Sequence, residues 1–171
     1  MLTLSLLRHA KSSWDDPGLE DFDRPLNERG REAASRMGRF MAKNGIAPEL
    51  ILSSPSVRTR QTLELVLPHL SPKPSVVFED ALYLATASVL LQHARKGAGT
   101  ARHVMVVAHD PGMHQLATEL AGSGEPALLE VLAKKFPTAG LAVIDFDAQT
   151  WSKVRRGAGR LRLFMAPKRL L

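Results

Sequence analysis

The sequence predicts an α/β protein: three layers, α/β/α, around a mainly parallel central sheet with an antiparallel C-terminal edge. Three observations predict it. Up to Ala121, apolar runs of strand length alternate with segments of helical period, the pattern of successive βαβ units. The run His103-Val104-Met105-Val106-Val107-Ala108 is almost continuously apolar, as a strand covered on both faces must be. The tail then changes character, with Leu141–Phe146 and Gly159–Phe164 reading as two strands of an antiparallel ribbon.

Taken in order, residues 2–7 form a first strand that ends in Arg8-His9-Ala10-Lys11. A polar loop runs from Lys11 to Leu26, with turn residues Asp15, Asp16, Pro17 and Gly18. Asn27 suits a helix N-cap, Glu28 its first turn, and Ala33, Met37, Phe40 and Met41 recur at helical spacing. Lys43 complements the end of that helix and Asn44-Gly45 stops it. Leu50-Ile51-Leu52 is a short buried strand running into Ser53-Ser54-Pro55, followed by a helix over 56–67 that Pro68 ends. Beyond a Pro-rich loop over 71–74, residues 76–78 form a short strand and residues 87–95 a helix, broken at Gly97-Ala98-Gly99. The strand at 103–108 leads through His109-Asp110-Pro111-Gly112 into a helix reaching Ala121. Residues 122–126 read as a loop and 127–133 as a short helix. In the last strand Arg160 and Arg162 alternate with Leu161 and Leu163, the pattern of a half-exposed edge.

A chain of 171 residues fits one domain spanning 1–171, with no internal repeat or linker. The hydrophobic fraction of 44% and the mixing of apolar with charged residues point to a soluble globular protein. No apolar run reaches membrane-spanning length, and the start lacks the basic and apolar regions of a signal peptide, so the expected location is the cytoplasm. The absence of cysteine removes disulfides, thiolate catalysis and Cys-based zinc sites. A formal net charge of +6 favours anionic partners. Aromatic residues make up only 5% and are not interleaved with a basic patch, which argues against single-stranded nucleic acid.

Three strand ends each deliver groups suited to an anion: Arg8-His9, Ser53-Ser54-Pro55 with Arg58, and His109-Asp110. In open α/β sheets the crevice lies past the carboxyl ends of the strands. Arg58 falls near the start of a helix, where free backbone N–H groups also favour negative charge. If the three strands are neighbours, two imidazoles and two guanidinium groups converge around one phosphoryl group.

The motifs Leu7-Arg8-His9-Ala10, Ser53 through Thr62 and Val107-Ala108-His109-Asp110 resemble those of the histidine phosphatase superfamily, also called phosphoglycerate-mutase-like. The short chain and the run Asp23 through Gly30 look most like its SixA-type phosphohistidine phosphatase branch. The resemblance runs from the first strand to about Ala121, with the motifs in the family's order. One departure is Ala10, where many members have glycine.

The resemblance implies that His9 is the nucleophile and forms a phosphohistidine, while Arg8, Arg58 and His109 bind the phosphoryl oxygens. Phosphoryl transfer needs positioning and charge stabilisation above all, which agrees with that set. No metal or other cofactor is implied, since fixed cations take the place of one. The expected activity is hydrolysis of phosphohistidine protein or a small phosphomonoester. A narrower small-molecule phosphatase or mutase, or a non-catalytic anion- or nucleic-acid-binding module, stands as the alternative.

The proton donor to the leaving group is open at this level. Asp110, directly after His109, is one candidate and equally suits a helix cap; Glu79 or Asp80 is the other. Arg24, Ser12 and Ser13 are further candidates for contacting substrate. His114, close to His109, reads as a surface or supporting histidine and not as a metal ligand, because no carboxylate cluster accompanies it. Trp14 and Trp151 fit either a pocket rim or ordinary packing.

Overall fold

In the computed structural model, which describes residues 1–170, the strands are β1 (Leu2–Arg8), β2 (Leu50–Ser53), β3 (Ser75–Phe78), β4 (His103–Ala108), β5 (Ala121–Gly124), β6 (Leu141–Phe146) and β7 (Gly159–Met165). The α-helices are α1 (Glu28–Lys43), α2 (Val57–Val66), α3 (Ala87–Gly97), α4 (Gly112–Leu120) and α5 (Pro126–Lys134). One sheet takes all the strands in the order β3-β2-β4-β1-β6-β7-β5. The pairings leave β6 alone running against the rest. This is the mainly parallel sheet with an antiparallel C-terminal region that the sequence predicts.

Period-two alternation sorts side chains between two helical layers. Leu4, Leu6, Val104 and Val106 face the layer of α3, α4 and α5. Leu7, Met105 and Val107 face Met37 and Met41 of α1 and Leu63 and Val66 of α2. Each of these side chains is at most 1% exposed, and full burial of one such group stabilises by roughly 1.5–3 kcal/mol.

Helix α1 starts where expected, with Asn27 Oδ1 accepting from the Gly30 amide at 2.8 Å, and stops at Gly45, whose φ of +67° suits glycine. Its buried stripe is Gly30, Ala34, Met37, Gly38 and Met41, whereas the sequence suggested Ala33 and Phe40 as members. The shift arises because two glycines lie in the contact. A Cβ on Gly30 would fall 2.1 Å from the Lys11 carbonyl oxygen, and one on Gly38 3.0 Å from Val66 Cα. Backbone approach, not side-chain bulk, sets the rotation of this helix.

The segment read as a loop at 122–126 contains most of β5, which lies parallel to β7. The last ribbon strand is therefore covered and is not the sheet edge. Leu161 is buried while Arg160 and Arg162 are exposed, so the alternation itself holds. The Ala-Gly-Ser-Gly sequence of β5 has low β-propensity, and glycine lets its backbone close up on β7 and on the turn before it: a Cβ on Gly124 would lie 3.0 Å from the carbonyl oxygen of its partner Leu161, and one on Gly122, in the bulge, 2.0 Å from the Gly157 carbonyl oxygen. Among the described residues no helix is long and apolar enough to cross a membrane.

Candidate active site

β1, β4 and β2 are adjacent and parallel, with Arg8 opposite Ala108 and Ser53 opposite Val107. The residues that follow, His9, His109 and Ser54, therefore leave the sheet at one level. Arg58 joins them from the first turn of α2, whose N-cap Ser56 accepts from the Thr59 amide. His9 and His109 have ring centroids 5.2 Å apart. The cavity at these strand ends has a volume of about 320 Å³ and is lined by Arg8, His9, Ser12, Arg24, Arg58, His109 and Asp110, together with Lys11, Trp14, Leu84 and Thr138. A larger groove of about 550 Å³ lies around Leu2, Arg102 and Trp151 and has no histidine or carboxylate in its lining.

His9 is 7% exposed. Its Nδ1 lies 2.7 Å from the carbonyl oxygen of Ala10, an acceptor only, so Nδ1 carries the proton and Nε2 keeps its lone pair. Burial, opposed by that hydrogen bond and helped by Arg58 and Arg8, depresses the His9 pKa to about 4. The backbone around it is clamped on both sides. Ala10 donates to Thr62 Oγ1 at 2.9 Å, and the His9 carbonyl accepts from the Ala139 amide at 2.9 Å. Ala139 takes a φ of +57° to make that contact, a left-handed conformation that costs energy for a residue with a Cβ and concentrates at functional sites.

His109 is 2% exposed. Arg58 Nη2, a donor at 3.2 Å, requires His109 Nδ1 to accept, so Nε2–H donates to Ser54 Oγ at 2.8 Å. Burial and the neighbouring His9 and Arg58 lower its pKa to about 3. Both imidazoles are neutral at pH 7.

The guanidinium groups are held through their tips. Arg8 Nη1 donates to the Phe136 carbonyl at 2.8 Å and lies 3.5 Å from Asp110 Oδ2. Arg58 donates to the Asp21 carbonyl at 2.7 Å and to Asp21 Oδ2 at 3.1 Å. Among the described residues, the buried side-chain polar atoms without a hydrogen-bond partner in the protein are Arg8 Nε and Arg58 Nε. An unsatisfied buried donor costs about 1–3 kcal/mol, and both lie on arginines that line this one cavity.

The other expected residues divide. Arg24, 8% exposed, donates to Ser12 Oγ at 2.9 Å and to Asp21 Oδ1 at 3.1 Å, and both Arg24 and Ser12 face the cavity. Ser13 does not line it, and its hydroxyl accepts from the Asp15 amide. Asp110 does line it, while its Oδ1 also accepts from the His114 amide at 3.1 Å. Asp110 thus serves the helix end and the cavity together. Glu79 and Asp80 lie outside the lining: Glu79 hydrogen-bonds His93 on α3, and Asp80 is exposed at the start of a short 3-10 turn. His114 Nε2 is bound to the Leu132 carbonyl.

A profile of the histidine phosphatase superfamily (branch 1) matches residues 4–83. An uncharacterised Mycobacterium tuberculosis protein is 34% identical over 164 residues, spanning 95% of this chain and 100% of the relative. A crystal structure of a candidate phosphohistidine phosphatase SixA from Agrobacterium tumefaciens is 33% identical with a TM-score of 0.79, covering 97% of this chain and 98% of that one. The chain belongs to the histidine phosphatase superfamily.

Within it this phosphatase falls in the SixA-like branch. A protein histidine phosphatase SixA solved with tungstate shares the fold at 23% identity, with a TM-score of 0.79 over 99% of this chain and 100% of that one. The residues that the sequence reading overlooked are those that brace the phosphatase's cations. Asp21 accepts from Arg24, Arg58 and Tyr83, and Tyr83 sets its ring edge against His109, centroids 5.3 Å apart. Burial alone would raise the Asp21 carboxyl, but the hydrogen bonds from Tyr83, Arg58 and Arg24 outweigh it and hold the pKa at about 2. Asp21 is one of five acids between Asp15 and Asp23, and only the path of the loop distinguishes it from the others.

Proposed function

We propose that residues 1–171 act as one domain and hydrolyse phosphohistidine protein or a small phosphomonoester through a phosphoryl group carried on His9. Nε2 attacks phosphorus as the bond to the leaving group breaks. Water then attacks the phosphohistidine, the P–N bond breaks and phosphate leaves with His9 restored. Arg8, Arg58 and His109 hold the phosphoryl oxygens, the neutral His109 as an N–H donor and the two guanidinium groups with fixed positive charge, and that charge takes the part of a metal ion in the task. The observation that carries this reading is a neutral, tautomer-fixed His9 in a cavity that Arg8, Arg58 and His109 also line.

Asp110 is the proposed proton donor, since it is the carboxylate of the sequence-level candidates that lines the cavity. A phosphohistidine substrate asks less of it than an alkyl phosphate, because imidazole leaves more readily than an alkoxide. Relatives described as phosphohistidine phosphatases, and a fold neighbour that holds tungstate, a tetrahedral oxyanion, support the substrate class.

Replacing His9 with Ala tests the reading. Hydrolysis of p-nitrophenyl phosphate is expected to vanish while the circular dichroism and the unfolding transition persist, and the wild type is expected to yield an acid-labile phosphoryl adduct during turnover. Turnover retained by H9A would end the proposal.

A further inference from the structure

Two walls of the cavity play no part in holding an oxyanion. Trp14 is 76% exposed and Leu84 54%, which makes them, with the terminal Met1, the most exposed large apolar side chains of the described residues. Both line the cavity that contains His9. Single exposed hydrophobics are ordinary on a protein surface, but these two share one concave, otherwise cationic site, and each is fixed in place.

Trp14 is held by stacking. The Arg24 guanidinium carbon lies 3.5 Å from the centroid of its ring, and Arg24 is itself buried and tied to Ser12 and Asp21. The indole therefore rests on a cation anchored in the site, and its remaining surface stays open. Leu84 is held by the backbone. Its φ of +52° is a conformation that a bulky side chain adopts only when its surroundings impose it. The cavity also exceeds what a phosphoryl group fills: about 320 Å³ is room for about ten waters at roughly 30 Å³ each.

We propose that Trp14 and Leu84 are specificity-determining walls that receive the leaving group and select a flat, weakly polar ring, imidazole or aryl, over a small aliphatic one. The inference rests on the reading of His9 as the phosphoryl-transfer centre and extends it outward from phosphorus. A planar ring covers the open indole surface and gains stacking that an aliphatic chain cannot match. Leu84 supplies the aliphatic side of the same slot, so a ring entering it displaces water from two apolar surfaces at once.

Phosphonates test the walls without turnover. Calorimetric titration of the full-length protein with phenylphosphonate and methylphosphonate is expected to show the phenyl compound binding about tenfold tighter, the scale of one stacked ring. W14A is expected to abolish the preference, W14F to keep most of it, and L84A to reduce it by about threefold, in proportion to its smaller apolar face. Equal affinities in the wild type, or a preference that W14A leaves intact, overturn the proposal. A preference present in the wild type and lost in W14A, beside no hydrolysis of either p-nitrophenyl phosphate or a phosphohistidine peptide, supports the walls and sinks the proposed function alone.

Discussion

Arg58 Nη2 donates to His109 Nδ1 across 3.2 Å, and this contact fixes His109 as a neutral imidazole protonated at Nε2. A guanidinium cannot accept a proton, so protonating His109 Nδ1 would set two donors against each other. The same side chain of Arg58 is shared with Asp21, which couples the loop after β1 to the end of β4.

His9 and His109 have folded pKa values of about 4 and about 3, below the ordinary 6.5. As pH falls, the unfolded chain takes up protons before the folded one. Stability is therefore complete above about pH 6.5 and is lost progressively toward pH 4 and below, by on the order of a few kcal/mol. Chemical denaturation at a series of pH values checks this. In kcat/KM, corrected for ionisation of the substrate, the acid limb is expected near pH 4 and not near 6.5.

Asp21→Asn removes the charge that aligns Arg58 and Arg24. The amide still accepts from one of them, but three donors no longer share a carboxylate. A fall in kcat/KM for p-nitrophenyl phosphate on the order of tenfold is expected, because displacing a positioning group by a fraction of an ångström is costly. Steady-state kinetics with an unchanged value would show that Arg58 is held well enough by the Asp21 carbonyl alone.

Asp110→Asn and Glu79→Gln separate the candidate acids. With phosphoserine, whose alkoxide leaves poorly, D110N is expected to lose about 10²-fold or more in kcat, and much less with p-nitrophenyl phosphate, whose phenolate needs little help. E79Q is expected to change neither substrate by more than about twofold, since Glu79 pairs with His93 outside the cavity. The reverse ranking in the kinetics would reassign the acid.

Gly30→Ala tests the contact between α1 and the loop that carries His9. The added methyl would sit 2.1 Å from the Lys11 carbonyl oxygen, and a backbone atom has little freedom to yield. A loss of about 1–3 kcal/mol is expected, readable as a lower thermal midpoint, together with reduced activity because Lys11 lies two residues from His9. A variant as stable and as active as the wild type would show that the loop gives way freely.

The strands that build the site were legible because they are the chemically simplest parts of the chain. Leu4 through Leu7 and Val104 through Ala108 are buried on both faces and say so in their composition, and each ends abruptly in a charged residue or a histidine. What composition could not convey was contact made by backbone. β5 owes its pairing to a glycine, the rotation of α1 to Gly30 and Gly38, and the left-handed Leu84 and Ala139 to packing that no local propensity announces. Asp21 and Tyr83 were missed for a related reason: they stand 62 positions apart and meet only through the folded loop. Glu79 drew attention by its place in the sequence, and its partner His93 lies on the next helix, turned away from the cavity.

One feature of the site bears on how the chain becomes active. The backbone on either side of His9 is fastened to residues 139 and 140, through Ala139 to the His9 carbonyl and Arg8 to the Gly140 carbonyl, and the Arg8 side chain reaches Phe136. His9 thus waits for more than a hundred later residues before the backbone around it is held in place. A nascent or clipped chain ending short of Phe136 would carry every motif of the centre and still be inert.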